Sequence, residues 1–250
     1  MRGGFPELYR RRELDPSRYV GDYVRTFVEK DVAASAGVLQ TEAFLRALQL
    51  LAARTGTLLN ATDVGQLAGV KGQTVSGWLD LLQQNALALR LPPYHSNLTT
   101  RVVRTPKIHV LDVGLAVYLQ GWRAVEPLLA SPQIGPLFET LVLGELVRTR
   151  DHLGLPLSLY FWRTKEGEEV DFLVEAQGPA GPRWIALDAK FAIQHVEPVA
   201  VPRSLGAQLP DLREIWLVTP GGDEVRLSES SVQVPIRRLA SKLVDAAGHS

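Results

Sequence analysis

The sequence predicts an α/β protein, α+β overall, with a helical first part followed by a small mixed sheet flanked by helices. Between residues 41 and 85, apolar side chains recur at helical spacing in three segments separated by turns that contain glycine. From Leu159 onwards, short apolar runs alternate with turn-rich gaps, which is typical of strands, and a helical pattern stands on either side of these runs. Helices and strands in this order favour helices packed around a mixed sheet.

The totals restrict the classes of function. A chain of 250 residues is long enough for one large domain or two small ones. The 27 basic and 27 acidic residues balance, so any surface that binds nucleic acid must be local. The absence of cysteine excludes disulfides, thiolate zinc sites and cysteine catalysis. With no apolar run near 20 residues and no apolar core of a signal peptide, we expect a cytoplasmic protein with no membrane partner.

Residues 1–40 are predicted to be a helical linking segment. Asp15-Pro16-Ser17 is a helix start, and Tyr19, Tyr23 and Phe27 follow at helical spacing. One interpretation is a helix with a solvated face. The other is a docking helix for a partner that lies outside this chain.

Residues 41–110 are predicted to form a winged helix-turn-helix domain. Asn60 begins a short helix with Val64, Leu67 and Ala68 facing inward, Gly69 to Gly72 form a tight turn, and a longer helix runs from Gln73 to about Asn85. Strands at 86–91 and at 101–103 with 108–110 would form the wing.

Basic residues dominate the wing. Between Asp80 and Asp112 the chain has no acid. The expected contacts with DNA phosphates are salt-sensitive and independent of sequence. We predict that they come from the wing and from the start of the longer helix, at Arg90, Arg101, Arg104, Lys107, Lys71, Gln73 and Thr74. Since winged helices also dock proteins, an interaction or spacer role is the alternative.

Residues 111–250 are predicted to form the α/β domain. Asp112 starts a helix that reaches Leu119, and a strong helix begins at Ile134. Three strands follow between Leu159 and Phe191. A fourth strand at 214–218, a fifth at 232–236 and a closing helix at 237–247 complete the domain.

Three acids and a lysine in this domain suit phosphodiester chemistry. Asp171 lies inside an apolar strand, and Asp188 and Lys190 are two residues apart, so they share one side of the next strand. Glu139, in the first turn of the strong helix, completes the set. Hard oxygen ligands favour Mg²⁺ or Mn²⁺ held by Glu139, Asp171 and Asp188, with Lys190 beside the phosphate. The alternative is a solvent-facing Asp171 and an ordinary ion pair between Asp188 and Lys190.

The order of these motifs resembles a known signature. Gly135-x-x-Phe138-Glu139, Glu169-Val170-Asp171-Phe172 and Asp188-x-Lys190 resemble the three parts of the PD-(D/E)xK restriction-endonuclease-like superfamily, with Asp188 where glutamate is commoner. Together with Gly3-Gly4-Phe5-Pro6-Glu7 and the run from Pro106 to Leu115, they look like the C-terminal half of prokaryotic AAA+-type ATPases with a DUF4143 region. The resemblance implies a winged helix followed by a nuclease-like domain.

In that family an ATPase domain with a P-loop precedes this region. The sequence has no G-x-x-x-x-G-K-[ST] motif, so ATP-binding residues are not expected and the chain as it stands is not an ATPase. We expect a fragment, a degraded gene product or a stand-alone relative, with an ATPase domain or a second copy of the chain as a partner.

Three functions compete on these grounds. The first is a DNA-binding protein with a metal-dependent nuclease-like domain. The second is a non-catalytic DNA-binding or partner-docking protein with an inactive nuclease-like scaffold. The third is a regulatory partner of an ATPase in trans.

Overall fold

The structure is a computed structural model that describes residues 2–28, 30, 40–95, 103–178, 181–191 and 196–247. It is a mixed α/β protein, as predicted, with a three-stranded and a six-stranded sheet. The chain divides into two compact units, Met1–Arg90 with Ile108–Thr140, and Leu91–Lys107 with Leu141–Ser250. Most of the predicted segments 1–40 and 41–110 therefore fall in the first unit. Among the described residues, no helix has both the length and the apolar character that crossing a bilayer requires.

The first unit is mainly helical. Its helices are α1 (Glu7–Arg10), α2 (Pro16–Phe27), α3 (Thr41–Ala53), α4 (Ala61–Ala68), α5 (Gly72–Gln84), α6 (Val113–Leu119), α7 (Val125–Leu129) and the start of α8 (Ile134–Leu153). Its sheet has the strands β1 (Thr57–Leu58), β2 (Ala88–Leu91) and β3 (Lys107–Val110) in the spatial order β1-β3-β2. The last residue of β2, Leu91, and the first residue of β3, Lys107, belong to the second unit.

Local capping places three of these helices where the sequence predicts them. The side chain of Asp15 accepts a hydrogen bond from the backbone N–H of Arg18 at 2.7 Å and thereby caps α2. Asn60 caps α4 and Asp112 caps α6 in the same way, each by accepting from the residue three positions later. These bonds satisfy backbone donors that the first turn of a helix leaves unpaired.

The three helices α3, α4 and α5 pack around one core. Phe44 on α3 meets Trp78 on α5 edge to face, with ring centroids 5.4 Å apart, and Val64 and Ala68 on α4 are buried beside them. Leu67, which was predicted to face inward, is 56% exposed, so that prediction is wrong. Its position is about 100° around the helix from Ala68, outside the buried stripe of α4.

The first residues of the chain pack against the start of α6. The N–H of Gly4 donates to Oδ2 of Asp112 at 2.6 Å, and Oδ1 of the same carboxylate caps α6 by accepting from Leu115 at 2.7 Å. Tyr9 donates its hydroxyl to the carbonyl of Gly3 at 2.7 Å. The Gly-Gly-Phe-Pro opening and the Asp-Val-Gly-Leu run are thus in direct contact, which explains why small residues occur in both.

The second unit contains the six-stranded sheet. Its strands are β4 (Leu157–Arg163), β5 (Glu169–Gly178), β6 (Gly181–Ala189), β7 (Ile215–Thr219), β8 (Val225–Ser228) and β9 (Ser231–Pro235), in the order β4-β5-β6-β7-β9-β8. Strands β4, β5 and β6 pair antiparallel, β6, β7 and β9 pair parallel, and β8 is antiparallel to β9. The predicted mixed sheet is confirmed. Two helices, α9 (Arg203–Gly206) and α10 (Ile236–Ala247), and the rest of α8 complete the unit.

The segment after β2 runs along the edge of β4 in this second unit. The N–H of Phe161 donates to the carbonyl of Pro92 at 3.1 Å, Tyr94 donates to the carbonyl of Phe161 at 2.7 Å, and Val103 donates to the carbonyl of Arg163 at 3.0 Å. Part of the predicted wing therefore adds to the edge of the six-stranded sheet. Residues 101 and 102 lie outside the described residues.

Glu214, just before β7, gives the second unit a pH-dependent contribution to stability. Burial raises the pKa of Glu214, but hydrogen bonds from the Trp216 indole and the Arg226 guanidinium, with the nearby charge of Lys242, outweigh it and hold the pKa below its ordinary value of 4.5. A lowered pKa in the folded state stabilises the fold at pH values above 4.5, and this stabilisation is lost as the pH falls through the folded pKa.

We therefore expect Glu214→Gln to lower the free energy of unfolding at pH 7 by about 1 kcal/mol, a modest value because solvent screens a partly exposed ion pair. The difference from the wild type should shrink as the pH is lowered from 5 to 3. Urea unfolding at several pH values measures it, and a difference that is constant across this range would contradict the assignment.

Candidate active site

Asp171 lies in a β-bulge of strand β5. Across the ladder, Tyr160 pairs with Leu173 and Trp162 pairs with Val170, so two residues of β5, Asp171 and Phe172, face one residue of β4. A bulge re-aims side chains and interrupts the usual alternation. This accounts for an acid within a strand whose neighbours Val170 and Leu173 both enter the core.

Asp188 is next to Asp171 on the neighbouring strand, and each carboxylate is held by the other strand's backbone. The N–H of Asp171 donates to Oδ1 of Asp188 at 3.1 Å, and the N–H of Ala189 donates to Oδ2 of Asp171 at 2.9 Å. Asp188 is only 6% exposed. The two carboxylates are therefore fixed relative to each other by reciprocal backbone bonds rather than by flexible side-chain contacts.

Lys190 follows the end of β6. Its N–H donates to the carbonyl of Val218 at 2.8 Å, which ties the residue to β7, and its Nζ lies 3.4 Å from Oδ2 of Asp188. The side chain of Lys190 is 41% exposed. The ammonium is thus near the carboxylate pair and accessible to a ligand from solvent.

A second lysine belongs to this cluster. Lys107 is 3% exposed, and its Nζ lies 2.7 Å from Oε1 of Glu169 and 3.8 Å from Oδ1 of Asp171. Arg163 lies 3.5 Å from the other oxygen of Glu169. Buried charges need partners of opposite sign, so this ammonium is part of the architecture of the site. Because its ammonium is buried and paired with Glu169, Lys107 is not available to DNA phosphates, contrary to the prediction from the sequence.

Glu169 was not among the predicted site residues. In the structure Glu169 opens β5, two residues before Asp171, and its carboxylate binds Lys107. The strand periodicity that places residues i and i+2 on one side was the available signal for Glu169. For Lys107 the signal was its position directly before the apolar run Ile108-His109-Val110.

Glu139 lies in the first unit, within α8, and is partly buried. Its membership in the site stays a prediction. Among the described residues, no three His, Cys, Asp or Glu side chains are grouped so as to hold a metal ion. Asp171 and Asp188 nevertheless fit Mg²⁺, since this ion is typically bound by one or two carboxylates and completes its shell with water and substrate phosphate.

The other residues predicted to contact DNA lie on the first unit and on the segment between β2 and β3. Lys71 and Gln73 are exposed at the start of α5, and Thr74 is partly exposed. Arg104 is exposed, whereas Arg101 lies outside the described residues. Arg90 donates through Nε to Oε1 of Gln83 at 2.6 Å and forms an ion pair with Asp80. Part of the basic charge of this segment is therefore already neutralised.

The fold and the cluster define a mixed α/β protein with a carboxylate–lysine site in its second unit. Residues 1–126, half of the chain, match the family model described as Domain of unknown function (DUF8612), so the chain belongs to the DUF8612 family. Residues 134–239 match the model described as Domain of unknown function (DUF4143), which confirms the predicted DUF4143 region.

Similar proteins occur in mycobacteria. An uncharacterized protein of Mycobacterium bovis and one of Mycobacterium tuberculosis are each 30% identical over 239 residues, which cover 94% of this chain and 51% of the relative. The chain thus spans about half the length of these relatives. No solved structure was found to match it.

Proposed function

We propose that the chain is a DNA-binding protein whose second unit carries a metal-dependent phosphodiesterase site of the nuclease-like class. The observation that carries the proposal is the pair Asp171 and Asp188, fixed side by side on neighbouring strands, with the ammonium of Lys190 at 3.4 Å from Asp188. Two rigid carboxylates and an accessible ammonium suit a divalent ion and a phosphodiester.

Asp171 and Asp188 would hold Mg²⁺ or Mn²⁺. When bound, the ion supplies Lewis acidity toward the phosphoryl oxygens and the attacking water. The reciprocal backbone bonds keep the two carboxylates in place, so little reorganisation is needed when substrate arrives. Lys190, tied to β7 through its own backbone, offers positive charge that offsets the charge developing on the phosphate.

DNA contact is proposed for the start of α5 in the first unit and for the segment between β2 and β3, which belongs to the second unit. The order of α3, β1, α4, α5, β2 and β3, with the sheet order β1-β3-β2, supports a winged helix with α5 as the recognition helix. Its exposed start carries Lys71 and Gln73, and Arg104 is exposed on the connection between β2 and β3. Such contacts would position the duplex mainly through its phosphates. A restriction-endonuclease-like fold for the second unit and an ATPase partner are parts of the same proposal.

A second candidate is a non-catalytic DNA-binding protein that keeps the nuclease-like unit as a scaffold. The charge balance of the cluster favours it. The carboxylates of Glu169, Asp171 and Asp188 have cationic partners in Lys107, Arg163 and Lys190. A cluster whose charges already pair can be stable without a metal ion.

The two candidates are separated by incubating the protein with plasmid and with single-stranded DNA, in Mg²⁺, in Mn²⁺ and in chelator, beside Lys190→Ala and Asp171→Ala. We expect cleavage that requires the metal and falls at least about 100-fold in each variant, the scale of losing a major charge-stabilising group. Salt-sensitive binding without cleavage would favour the scaffold. Metal-dependent cleavage that survives both substitutions would place the active site elsewhere.

A further inference from the structure

The ammonium of Lys107 occupies the space between two carboxylates. Oε1 of Glu169 is 2.7 Å from Nζ and Oδ1 of Asp171 is 3.8 Å from it. The ring of Phe161 covers the same ammonium, with its centroid 5.5 Å away. Only 3% of Lys107 is exposed to solvent. A compact positive charge is therefore built into the core beside the proposed site.

The three charges need one another. An ammonium taken out of water costs several kcal/mol unless anionic partners compensate for the lost hydration, and the same holds for the two carboxylates. A lysine ammonium is a compact point charge, and here it lies where the two acids would otherwise face each other. The ammonium of Lys107 therefore occupies the position between the two carboxylates that a bound metal cation would otherwise take.

The two carboxylate oxygens of Asp171 have different neighbours. Its Oδ1 is directed toward Lys107, and its Oδ2 accepts the N–H of Ala189, next to Asp188. A divalent ion near Lys107 would be repelled by the ammonium at close range in a poorly hydrated region. The side toward Asp188 and Lys190 is the one on which an ion and a phosphate can be accommodated.

We infer that Lys107 is a resident cation that occupies the place between Glu169 and Asp171 and limits the proposed active site to a single divalent ion. This inference rests on the proposed function, since it concerns the metal of that site. Lys107 acts as a positioning residue: it holds Glu169 and Asp171 and does not touch the phosphate.

The test counts Mn²⁺ ions bound to the full chain by titration, with free Mn²⁺ measured by electron paramagnetic resonance. Ions that remain bound to an Asp171→Ala, Asp188→Asn double variant are subtracted as surface binding. We expect one ion in the wild type. Lys107→Ala should bind two, because Glu169 and Asp171 then face an empty position. Adding Glu169→Gln to Lys107→Ala removes one of these acids and should return the count to one.

Glu169→Gln alone provides a measurement that does not depend on whether Lys107→Ala folds. It keeps the lysine and so keeps the packing, but it releases the ammonium toward Asp171. We expect the dissociation constant for Mn²⁺ to rise roughly fivefold, because the ammonium of Lys107 then interacts more strongly with Asp171 and competes with the ion for this carboxylate.

The outcomes separate the inference from the proposed function. Two ions in the wild type, an unchanged count in a folded Lys107→Ala variant, or unchanged Mn²⁺ affinity in Glu169→Gln would overturn the inference and leave the proposed function intact. A wild type that binds no ion above the background would overturn both.

Discussion

Replacement of Asp188 by asparagine is expected to reduce metal-dependent DNA cleavage at least about 100-fold, because it removes a charged ligand where the proposed mechanism needs one. The substitution is nearly isosteric. The side-chain oxygen that accepts the N–H of Asp171 at 3.1 Å can remain, so the fold of the bulge should persist. What changes is the second oxygen, which lies 3.4 Å from Nζ of Lys190 and would face the metal.

The effect should appear in catalysis and in metal affinity rather than in DNA binding. Loss of one negative charge reduces the electrostatic repulsion between the protein and DNA. Cleavage rates, Mg²⁺ titration and binding measured at several salt concentrations separate these quantities. Asp223→Asn is the matched control, since the Asp223 side chain is 90% exposed and pairs with Arg237 on the surface of the same unit. Equal losses of cleavage in both variants would show that charge removal as such, and not the site, is responsible.

Local chemistry explains which parts of the fold could be predicted from the sequence. The capping residues Asp15, Asn60 and Asp112 act within three positions of themselves, so their helix starts were correctly predicted. Edge strand β8 was missed because it has only four residues, and its two apolar side chains, Val225 and Leu227, are exposed and partly buried respectively. Two apolar positions are too few for the alternation between apolar and polar residues to predict a strand.

The candidate site could be predicted only in part, for a similar reason. Residue type and spacing singled out Asp171, Asp188 and Lys190, and the structure brings these three together. The bulge that re-aims Asp171 depends on the pairing register with β4, which spacing in one strand does not encode. The ion pair between Lys107 and Glu169 joins residues that are far apart in the chain, and the sequence around each residue does not indicate which residue it pairs with.

Gly114, near the start of α6, packs closely against the backbone of the first residues of the chain. A Cβ added to Gly114 would lie 2.6 Å from the backbone nitrogen and 2.7 Å from the Cα of Gly3, and 3.1 Å from the carbonyl carbon of Arg2. These are backbone atoms, which cannot rotate away as the end of a side chain can. Gly3 has a φ of +59°, a left-handed conformation that other residues seldom adopt, and Gly4 is hydrogen-bonded to Asp112.

Gly114→Ala is therefore expected to lower the free energy of unfolding by about 2–3 kcal/mol, the upper range for overpacking, even though alanine is intrinsically the better helix residue by about 1 kcal/mol. Gly77→Ala in α5 is the matched control, because a Cβ there meets no atom within 4 Å. It should stabilise the protein by about 0.5–1 kcal/mol through helix propensity alone. Urea unfolding of the two variants should thus give changes of opposite sign. If both variants are stabilised equally, then the contact between Gly114 and the first residues contributes nothing in solution, and the amino-terminal segment does not hold α6 in place.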